Sequence, residues 1–185
     1  MEVLVLASSS PRRKELLHKI TDDFIVRSPS CEEIETGDPV SVAIKNATLK
    51  GRATEGNFVL ACDTVVELDG VIYGKPEDNE DAKRMLSALS GKTHCVISGY
   101  YVRYGEDENE GYDRSEVTFF DLTDEDIDNY VKKFRPLDKA GSYGIQDGVI
   151  VKKYDGSLDN IIGLPTEKLR EILRKYVYVK EESYN

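Results

Sequence analysis

Two clusters of polar residues lie at the end of, or inside, apolar strands, where charged groups need a chemical reason. The first cluster, residues 8–14 (SSSPRRK), follows an apolar run and opens a predicted helix at Pro11. Free N–H groups at a helix start attract anions, whereas three cations in the first turn oppose the helix dipole. A bound phosphate chain would offset that repulsion. The alternative is a solvated basic turn in which Ser10 is a plain cap.

The second cluster, residues 60–66 (LACDTVV), places the carboxyl group of Asp63 inside an apolar strand. Because burying an unpaired charge is costly, Asp63 should have a metal ion, a cation or a strong hydrogen-bond donor beside it. The alternative is a structural aspartate tied to backbone amides at the strand end. Phosphatases with an aspartyl nucleophile need a second aspartate two positions later, and Val65 stands there, which disfavours that class.

Three further polar side chains are candidates for the same site. Lys75 stands in a turn constrained by Gly74 and Pro76, although such a turn is common without a function. Lys50 flanks a buried helical stripe, from which its ammonium group either reaches a pocket or snorkels to solvent. Gln146 offers a donor and an acceptor in a glycine-rich loop, which suits the edge of a nucleobase or a simple cap.

The acids of the loop at residues 32–35 are candidate ligands for a hard cation. Mg²⁺ needs only one or two carboxylates plus phosphate oxygens. The spacing does not choose among Glu32, Glu33 and Glu35, and all three could equally be solvated charges. The three cysteines are widely spaced and form no C-x-x-C pair, which argues against a disulfide framework or a zinc cluster.

The hydrophobic pattern predicts the elements that must position these groups. Strands are expected at residues 3–6, 24–26, 58–67, 71–73, 94–103, 116–120 and 149–154. Helices are expected at 12–19, from 39 onward with Asp38 as the cap, at 80–90, from a capping box at 123–126 to 134, and up to 176 with Thr166 as the cap. Asp69 and Gly70 are a hairpin signal between two of the strands. Residues 104–113 are predicted to form an exposed acidic hairpin tip. Strands and helices alternate in the first part of the chain, whereas hairpins dominate the later part. This order predicts an α/β fold with a mixed sheet and flanking helices.

Length and charge narrow the possible partners. A length of 185 residues favours a single domain that spans residues 1–185, with a frayed tail at 180–185. A formal charge of -10 makes neither duplex nucleic acid nor an anionic membrane an expected partner. A small anionic ligand needs only one local cationic pocket and stays compatible. With no apolar run long enough to span a bilayer and no basic leader, we expect a cytoplasmic protein.

Taken in order, the motifs resemble those of the Maf family, whose members are nucleoside triphosphate pyrophosphatases historically linked to septum formation. The resemblance extends from residue 3 to about residue 176. It is carried by residues 6–13 (LASSSPRR), 15–17 (ELL), 61–66 (ACDTVV), 74–76 (GKP), 89–94 (LSGKTH), 138–141 (DKAG), 143–146 (YGIQ) and 160–165 (NIIGLP). Several long motifs in one order are more specific than any single motif.

The resemblance implies an elongated α/β fold with a central cleft, related to the house-cleaning inosine triphosphatases. It implies that Asp63 is the catalytic proton acceptor. Our hypothesis for the mechanism adds a divalent cation, Mg²⁺ or Mn²⁺, held by Glu33 and Asp63. Arg12, Thr64 and Gln146 match the family's specificity positions. The other residues that match its pocket are Ser8, Arg13, Glu33, Lys50 and Lys75.

The sequence at 144–146 (GIQ) resembles the branch of the family that acts on dTTP and UTP. The resemblance therefore implies a house-cleaning pyrophosphatase for these nucleotides and for modified pyrimidine nucleotides, and it suggests a homodimer. The family usually follows this glutamine with a longer glycine-rich stretch, whereas in this chain Asp147 and Gly148 lead straight into Val149. Two other hypotheses stay open: a nucleotide-binding regulator of cell division with little turnover, and an interaction module that uses the acidic residues 106–113.

Overall fold

A computed structural model describes residues 2–180 of the chain. Within them, seven strands form one mixed sheet in the order β2-β1-β3-β5-β6-β7, with β4 paired to β3. The strands are β1 (Leu4–Ala7), β2 (Phe24–Arg27), β3 (Phe58–Leu68), β4 (Val71–Tyr73), β5 (Thr93–Tyr104), β6 (Asp107–Phe119) and β7 (Val151–Asp155). The helices are α1 (Pro11–Leu17), α2 (Pro39–Arg52), α3 (Asn79–Leu89), α4 (Asp124–Phe134), α5 (Leu158–Ile162) and α6 (Thr166–Leu173).

The sheet changes from parallel to antiparallel at β3. β1 pairs parallel with both β2 and β3, whereas β3, β5, β6 and β7 pair antiparallel in succession. This arrangement confirms the predicted α/β class with helices flanking a mixed sheet. Because side chains alternate along a strand, Asp63 and Thr64 of β3 lie on opposite faces of the sheet.

Local sequence signals place the ends of most helices. Ser10 caps α1 and accepts a hydrogen bond from the backbone N–H of Arg13, and Pro11 is the first helical residue. Asp38 caps α2 in the same way, ahead of Pro39. The predicted capping box at Thr123 is present at the start of α4. These predictions are confirmed, and most other boundaries differ by one or two residues.

Helix α2 lies unusually close to β5, because Gly99 leaves room for its backbone. An added Cβ at Gly99 would lie 2.3 Å from the carbonyl carbon and oxygen of Ala43 on α2. Another added at Gly51, on the same helix, would lie 2.1 Å from the ring of Tyr101. Two glycines therefore permit the short distance between this helix and the sheet.

Gly99→Ala is expected to lower the free energy of unfolding by at least about 1–3 kcal/mol, because α2 must move away from the sheet. The same displacement would move the site residues that α2 carries and so reduce activity. Urea denaturation measures the stability change. Gly74→Ala is the control for stability, since an added Cβ there meets nothing within 4 Å. Equal stability of the two variants would contradict this account of the helix position.

Two hydrophobic clusters lie on one face of the sheet. One joins α3 and α4 to the middle of the sheet, through Leu86, Phe119 and Ile127. The other joins the beginning and the end of the chain. Its buried residues are Leu4, Leu6, Leu16, Leu17, Ile20, Phe58, Leu60, Cys62, Val102, Leu164, Leu169 and Leu173. Part of the packing of the N-terminal strand and α1 therefore comes from α6.

The prediction of an acidic hairpin tip at 104–113 is wrong for most of that segment. Only Gly105 and Glu106 form the turn, and β6 begins at Asp107. The acidic side chains of this strand have partners on α2, because Glu108 pairs with Arg52 at 2.6 Å and Glu110 accepts from Thr48 at 2.9 Å. The density of acidic residues suggested a loop, whereas the hydrogen bonding of this segment to β5 makes it a strand.

The C-terminal part also differs from the prediction. Helix α6 ends at Leu173, and Thr166 is its first residue instead of its side-chain cap, since the Thr166 hydroxyl donates to Asp159 at 2.6 Å. Helix α5 was not predicted, because its five residues are too few to show a period. Lys180 is held by its backbone N–H donating to the carbonyl of Ile20 at 2.8 Å, so fraying is wrong there. The rest of the predicted frayed tail, residues 181–185, lies outside the described residues.

Candidate active site

A cleft of about 830 Å³ opens where the end of β1, the start of α1, one side of α2 and the loop at 138–146 meet. All nine side chains that sequence analysis selected lie on its wall. They are Ser8, Arg12, Arg13, Glu33, Lys50, Asp63, Thr64, Lys75 and Gln146. Their common location is observed, and their individual roles stay predictions.

Asp63 has the partners that its burial requires. Its side chain accepts hydrogen bonds from Lys50 Nζ at 2.5 Å and from Asn46 Nδ2 at 3.2 Å. Asp63 is 6% exposed and Lys50 is 7% exposed, so both charges are withdrawn from water and compensate each other. Asn46 and Lys50 reach the same carboxylate because residues four positions apart lie on one helix face.

Asn46, which sequence analysis missed, also ties down the loop that follows β2. Its amide accepts from the backbone N–H of Ile34 at 2.7 Å and donates to the carbonyl of the same residue at 2.9 Å. This fixes the loop next to Glu33, whose Oε1 lies 3.1 Å from Lys50 Nζ. The sequence feature that could have identified Asn46 is its position: it is a polar residue within the apolar stripe of α2, at helical spacing from Ala43.

The described residues contain no group of three or more histidine, cysteine or acidic side chains that could hold a metal ion by themselves. Glu33 and Asp63 nevertheless face one point, because both contact the ammonium group of Lys50. Two carboxylates suit Mg²⁺ when substrate phosphates and water complete its oxygen shell. The donor set therefore fits a hard cation that binds together with a phosphorylated ligand. Glu35 lines the same cleft.

On the other face of β3, Thr64 belongs to a hydrogen-bonded chain that begins at Arg13. The Arg13 side chain donates from Nη2 to Thr64 Oγ1 at 3.1 Å and from Nε to the carbonyl of Gly163 at 2.9 Å. The Thr64 hydroxyl shares a 2.9 Å hydrogen bond with Ser98, which donates to the carbonyl of Asn160 at 3.0 Å. Thr64 thus orients a cationic side chain, and neither Ser98 nor Asn160 was foreseen.

Arg12 connects α1 to the loop on the far side of the cleft. It donates to Asp138 Oδ2 at 2.6 Å, while Lys139 Nζ donates to Asp138 Oδ1 at 2.8 Å. Burial would raise the pKa of the Asp138 carboxyl, but these hydrogen bonds from Lys139 and Arg12 lower it to about 2. Asp138 is therefore ionised at neutral pH and holds two cations at the cleft wall.

The remaining predicted residues are distributed between the floor and the mouth of the cleft. Ser8 is buried, and its hydroxyl accepts from the backbone N–H of Ser10 at 3.1 Å, which shapes the turn before α1. Lys75 and Gln146 are exposed, so both are available to a ligand. Gln146 belongs to a 3₁₀ turn, Ile145–Asp147.

Beneath this loop, a buried histidine supports the sheet side of the cleft. His94 Nε2 shares a 2.8 Å hydrogen bond with the hydroxyl of Tyr143. Burial lowers the pKa of His94 to about 4, so the ring is neutral in the folded protein at neutral pH. As pH falls below about 6.5, His94 becomes protonated in the unfolded chain but stays neutral in the folded chain.

The stability of the protein is therefore expected to fall between about pH 6.5 and pH 4, with a contribution of about 3 kcal/mol from His94. His94→Gln keeps a polar group toward Tyr143 and removes the titration. Urea denaturation of both proteins at pH 7 and pH 4.5 measures the effect. If the loss of stability on acidification is the same in both, His94 is not responsible.

Comparison with known proteins identifies relatives over nearly the whole chain. A family profile described as Maf-like protein matches residues 3–176. A protein of Thermococcus gammatolerans named dTTP/UTP pyrophosphatase is 43% identical over 178 residues, which cover 92% of this chain and 96% of the relative. A Thermosipho africanus protein of the same name is 42% identical over 174 residues, covering 92% of this chain and 91% of the relative.

Among solved structures, the chain resembles the Ham1 protein of Staphylococcus aureus with a TM-score of 0.47 and 19% sequence identity. The likeness covers 63% of this chain and 71% of the Ham1 chain. Within residues 2–180, no helix is both long enough and apolar enough to cross a membrane.

Proposed function

We propose that this chain, which belongs to the Maf family, hydrolyses dTTP and UTP. The products are the nucleoside monophosphate and pyrophosphate. The function of the named relatives, which are about as long as this chain, supports this reading. The observation that carries it in the structure is a buried carboxylate, Asp63, facing a cleft whose wall carries, besides Lys139, the four cationic side chains that sequence analysis selected. These are Arg12, Arg13, Lys50 and Lys75.

The chemistry requires water to attack the α-phosphorus while the bond from that phosphorus to the bridging oxygen breaks. Asp63 accepts the proton of the attacking water, and pyrophosphate leaves with the bridging oxygen. Negative charge grows on the non-bridging oxygens and on the leaving group, where fixed cations stabilise it most. Lys50 lies beside Asp63 and suits the α-phosphate, while Arg12, Arg13 and Lys75 suit the rest of the triphosphate.

Mg²⁺ or Mn²⁺ is part of the proposal. Glu33 and Asp63 would hold it together with phosphate oxygens, and the bound cation would neutralise charge and make water more acidic. Lys50 contacts both carboxylates, so its ammonium group holds them near each other before a ligand enters.

The nucleobase is assigned to the side of the cleft that carries Gln146. An amide can donate to one edge atom of a pyrimidine and accept from another. Thr64 contributes through Arg13, which it orients, and Arg12 through the bridge to Asp138. House-cleaning of modified pyrimidine nucleotides is the proposed biological role.

The test is to incubate the purified protein with a panel of nucleoside triphosphates and Mg²⁺ or Mn²⁺, and to identify the products. Pyrophosphate plus monophosphate from dTTP and UTP supports the proposal. Orthophosphate would mean that a different bond is cut, and a purine preference would contradict the role of Gln146. Removal of the cation with EDTA is expected to abolish turnover, and adding Mg²⁺ back should restore it.

We also propose a cytoplasmic homodimer. The resemblance to the family supports the dimer, and the location follows from the substrates, because free nucleoside triphosphates are held inside the cell. Light scattering on the purified protein measures the mass in solution against the 20.8 kDa of one chain. A monomer at micromolar concentration would contradict the dimer.

A further inference from the structure

One buried hydroxyl group holds both ends of the turn that presents Gln146. Tyr130 of α4 is 2% exposed. Its hydroxyl donates a hydrogen bond to the carboxylate of Asp147 and accepts from the backbone N–H of Gly144 at 3.0 Å. Burial, together with the hydrogen bond to Asp147, raises the pKa of Tyr130, so the hydroxyl keeps its proton and remains the donor.

The two partners of Tyr130 flank Gln146 in the chain. Backbone hydrogen bonds also close the turn, since the N–H of Asp147 donates to the carbonyl of Gly144 at 3.1 Å. The side-chain and backbone contacts together form a ring around residues 145 and 146. Gln146 itself is exposed to the cleft, so the rigid part of the turn lies behind it.

Gly144 leaves room beside the carboxylate of Asp147. An added Cβ at Gly144 would lie 3.0 Å from Asp147 Oδ2 and 3.2 Å from Lys139 Cε. A larger residue would therefore crowd the carboxylate, which would have to shift by a few tenths of an ångström. The absence of a side chain at Gly144 thus leaves room for the contact between Tyr130 and Asp147.

We propose that Tyr130 and Asp147 are positioning residues that set nucleobase selectivity, because their hydrogen bond fixes the turn that presents Gln146 to the base. Neither residue needs to touch the substrate. A polar group discriminates strongly between bases only when it is held in one place, since a mobile group can adapt to the wrong partner. The inference rests on the proposed function and deepens it.

The experiment compares kcat/KM for dTTP and for CTP in the wild type, Tyr130→Phe, Asp147→Ala and Asp147→Asn. Loss of a charge-assisted hydrogen bond is worth about a ten- to hundredfold change. We expect the preference for dTTP over CTP to fall about tenfold or more in Tyr130→Phe and Asp147→Ala. Asp147→Asn keeps an acceptor oxygen and is expected to retain most of the preference.

A double variant separates positioning from general damage. In Gln146→Ala, the turn presents no amide, so adding Asp147→Ala should not lower the preference further. If Asp147 had only a structural role, Asp147→Ala would instead lower kcat/KM for dTTP and for CTP by the same factor. The decrease would also be the same in the wild type and in Gln146→Ala. Tyr154→Phe, an exposed tyrosine on β7 outside the cleft, is the matched control and should behave as the wild type.

The failure of this inference is distinguishable from that of the proposed function. If the wild type cleaves dTTP but Tyr130→Phe and Asp147→Ala keep its preference over CTP, the positioning role is wrong and the function stands. A wild type that cleaves without any preference overturns the positioning role as well. If the wild type releases no pyrophosphate from any nucleotide, the proposed function fails, and this inference fails with it.

Discussion

Asp63→Asn is expected to lower kcat for dTTP by about 10³-fold while the protein keeps its fold, because a positioned general base contributes about 10²–10⁴-fold. The asparagine has the same size and keeps an oxygen that can accept from Lys50, whose ammonium group also retains Glu33 as a counter-charge at 3.1 Å. It cannot accept the proton of the attacking water. Measurement of kcat at saturating dTTP with Mg²⁺, together with circular dichroism, tests both parts of the expectation.

Asp69→Asn is the matched control for this change. Asp69 is exposed in the turn between β3 and β4 and has a φ of 52°, a backbone conformation that asparagine accepts. This variant is expected to keep the wild-type kcat. Near-normal turnover of Asp63→Asn would remove Asp63 as the proton acceptor, and the base would then have to be sought elsewhere in the cleft.

Lys50→Met is expected to lose both activity and stability, since it leaves the buried carboxylate of Asp63 without its cation. Breaking a buried ion pair by removing one partner costs about 3–5 kcal/mol. Loss of a fixed charge at the reacting phosphate lowers kcat by about 10²–10³-fold. Urea denaturation and steady-state kinetics measure the two effects separately.

The double variant Lys50→Met/Asp63→Asn distinguishes these two contributions. It leaves no uncompensated buried charge at this position, because the carboxylate of Glu33 is partly exposed to solvent. Most of the lost stability should therefore return, while kcat stays low. Lys45→Met, on the exposed side of the same helix, should change neither property by much. If Lys50→Met is as stable as the wild type, the buried pair does not contribute to folding as described.

Local sequence signals were sufficient for much of the fold. The caps at Ser10, Asp38 and Thr123 and the hairpin turn after β3 are each decided within a few residues. The need for a partner at Asp63 also followed from burial alone. Which partner it has did not follow, because Lys50 and Asn46 reach it only once α2 lies on β3 and β5.

The features that the sequence did not predict depend on contacts between distant segments. The length of β6 follows from its pairing with β5 in register, although its composition is that of a solvated loop. The chain from Arg13 through Thr64 to Ser98 joins three elements that are far apart in sequence. The ring around Gln146 requires Tyr130 of α4, and spacing along the chain gives no sign of that contact.

The packing of α6 against β1 and α1 has a consequence for synthesis of the protein. A ribosome releases Arg13 early, but the carbonyl of Gly163 that accepts from its guanidinium emerges more than a hundred residues later. The core that packs against α1 is also incomplete until Leu164, Leu169 and Leu173 have been synthesised. A nascent chain therefore completes its cationic turn only after Gly163 and α6 have emerged from the ribosome, and products truncated before that point lack a finished site.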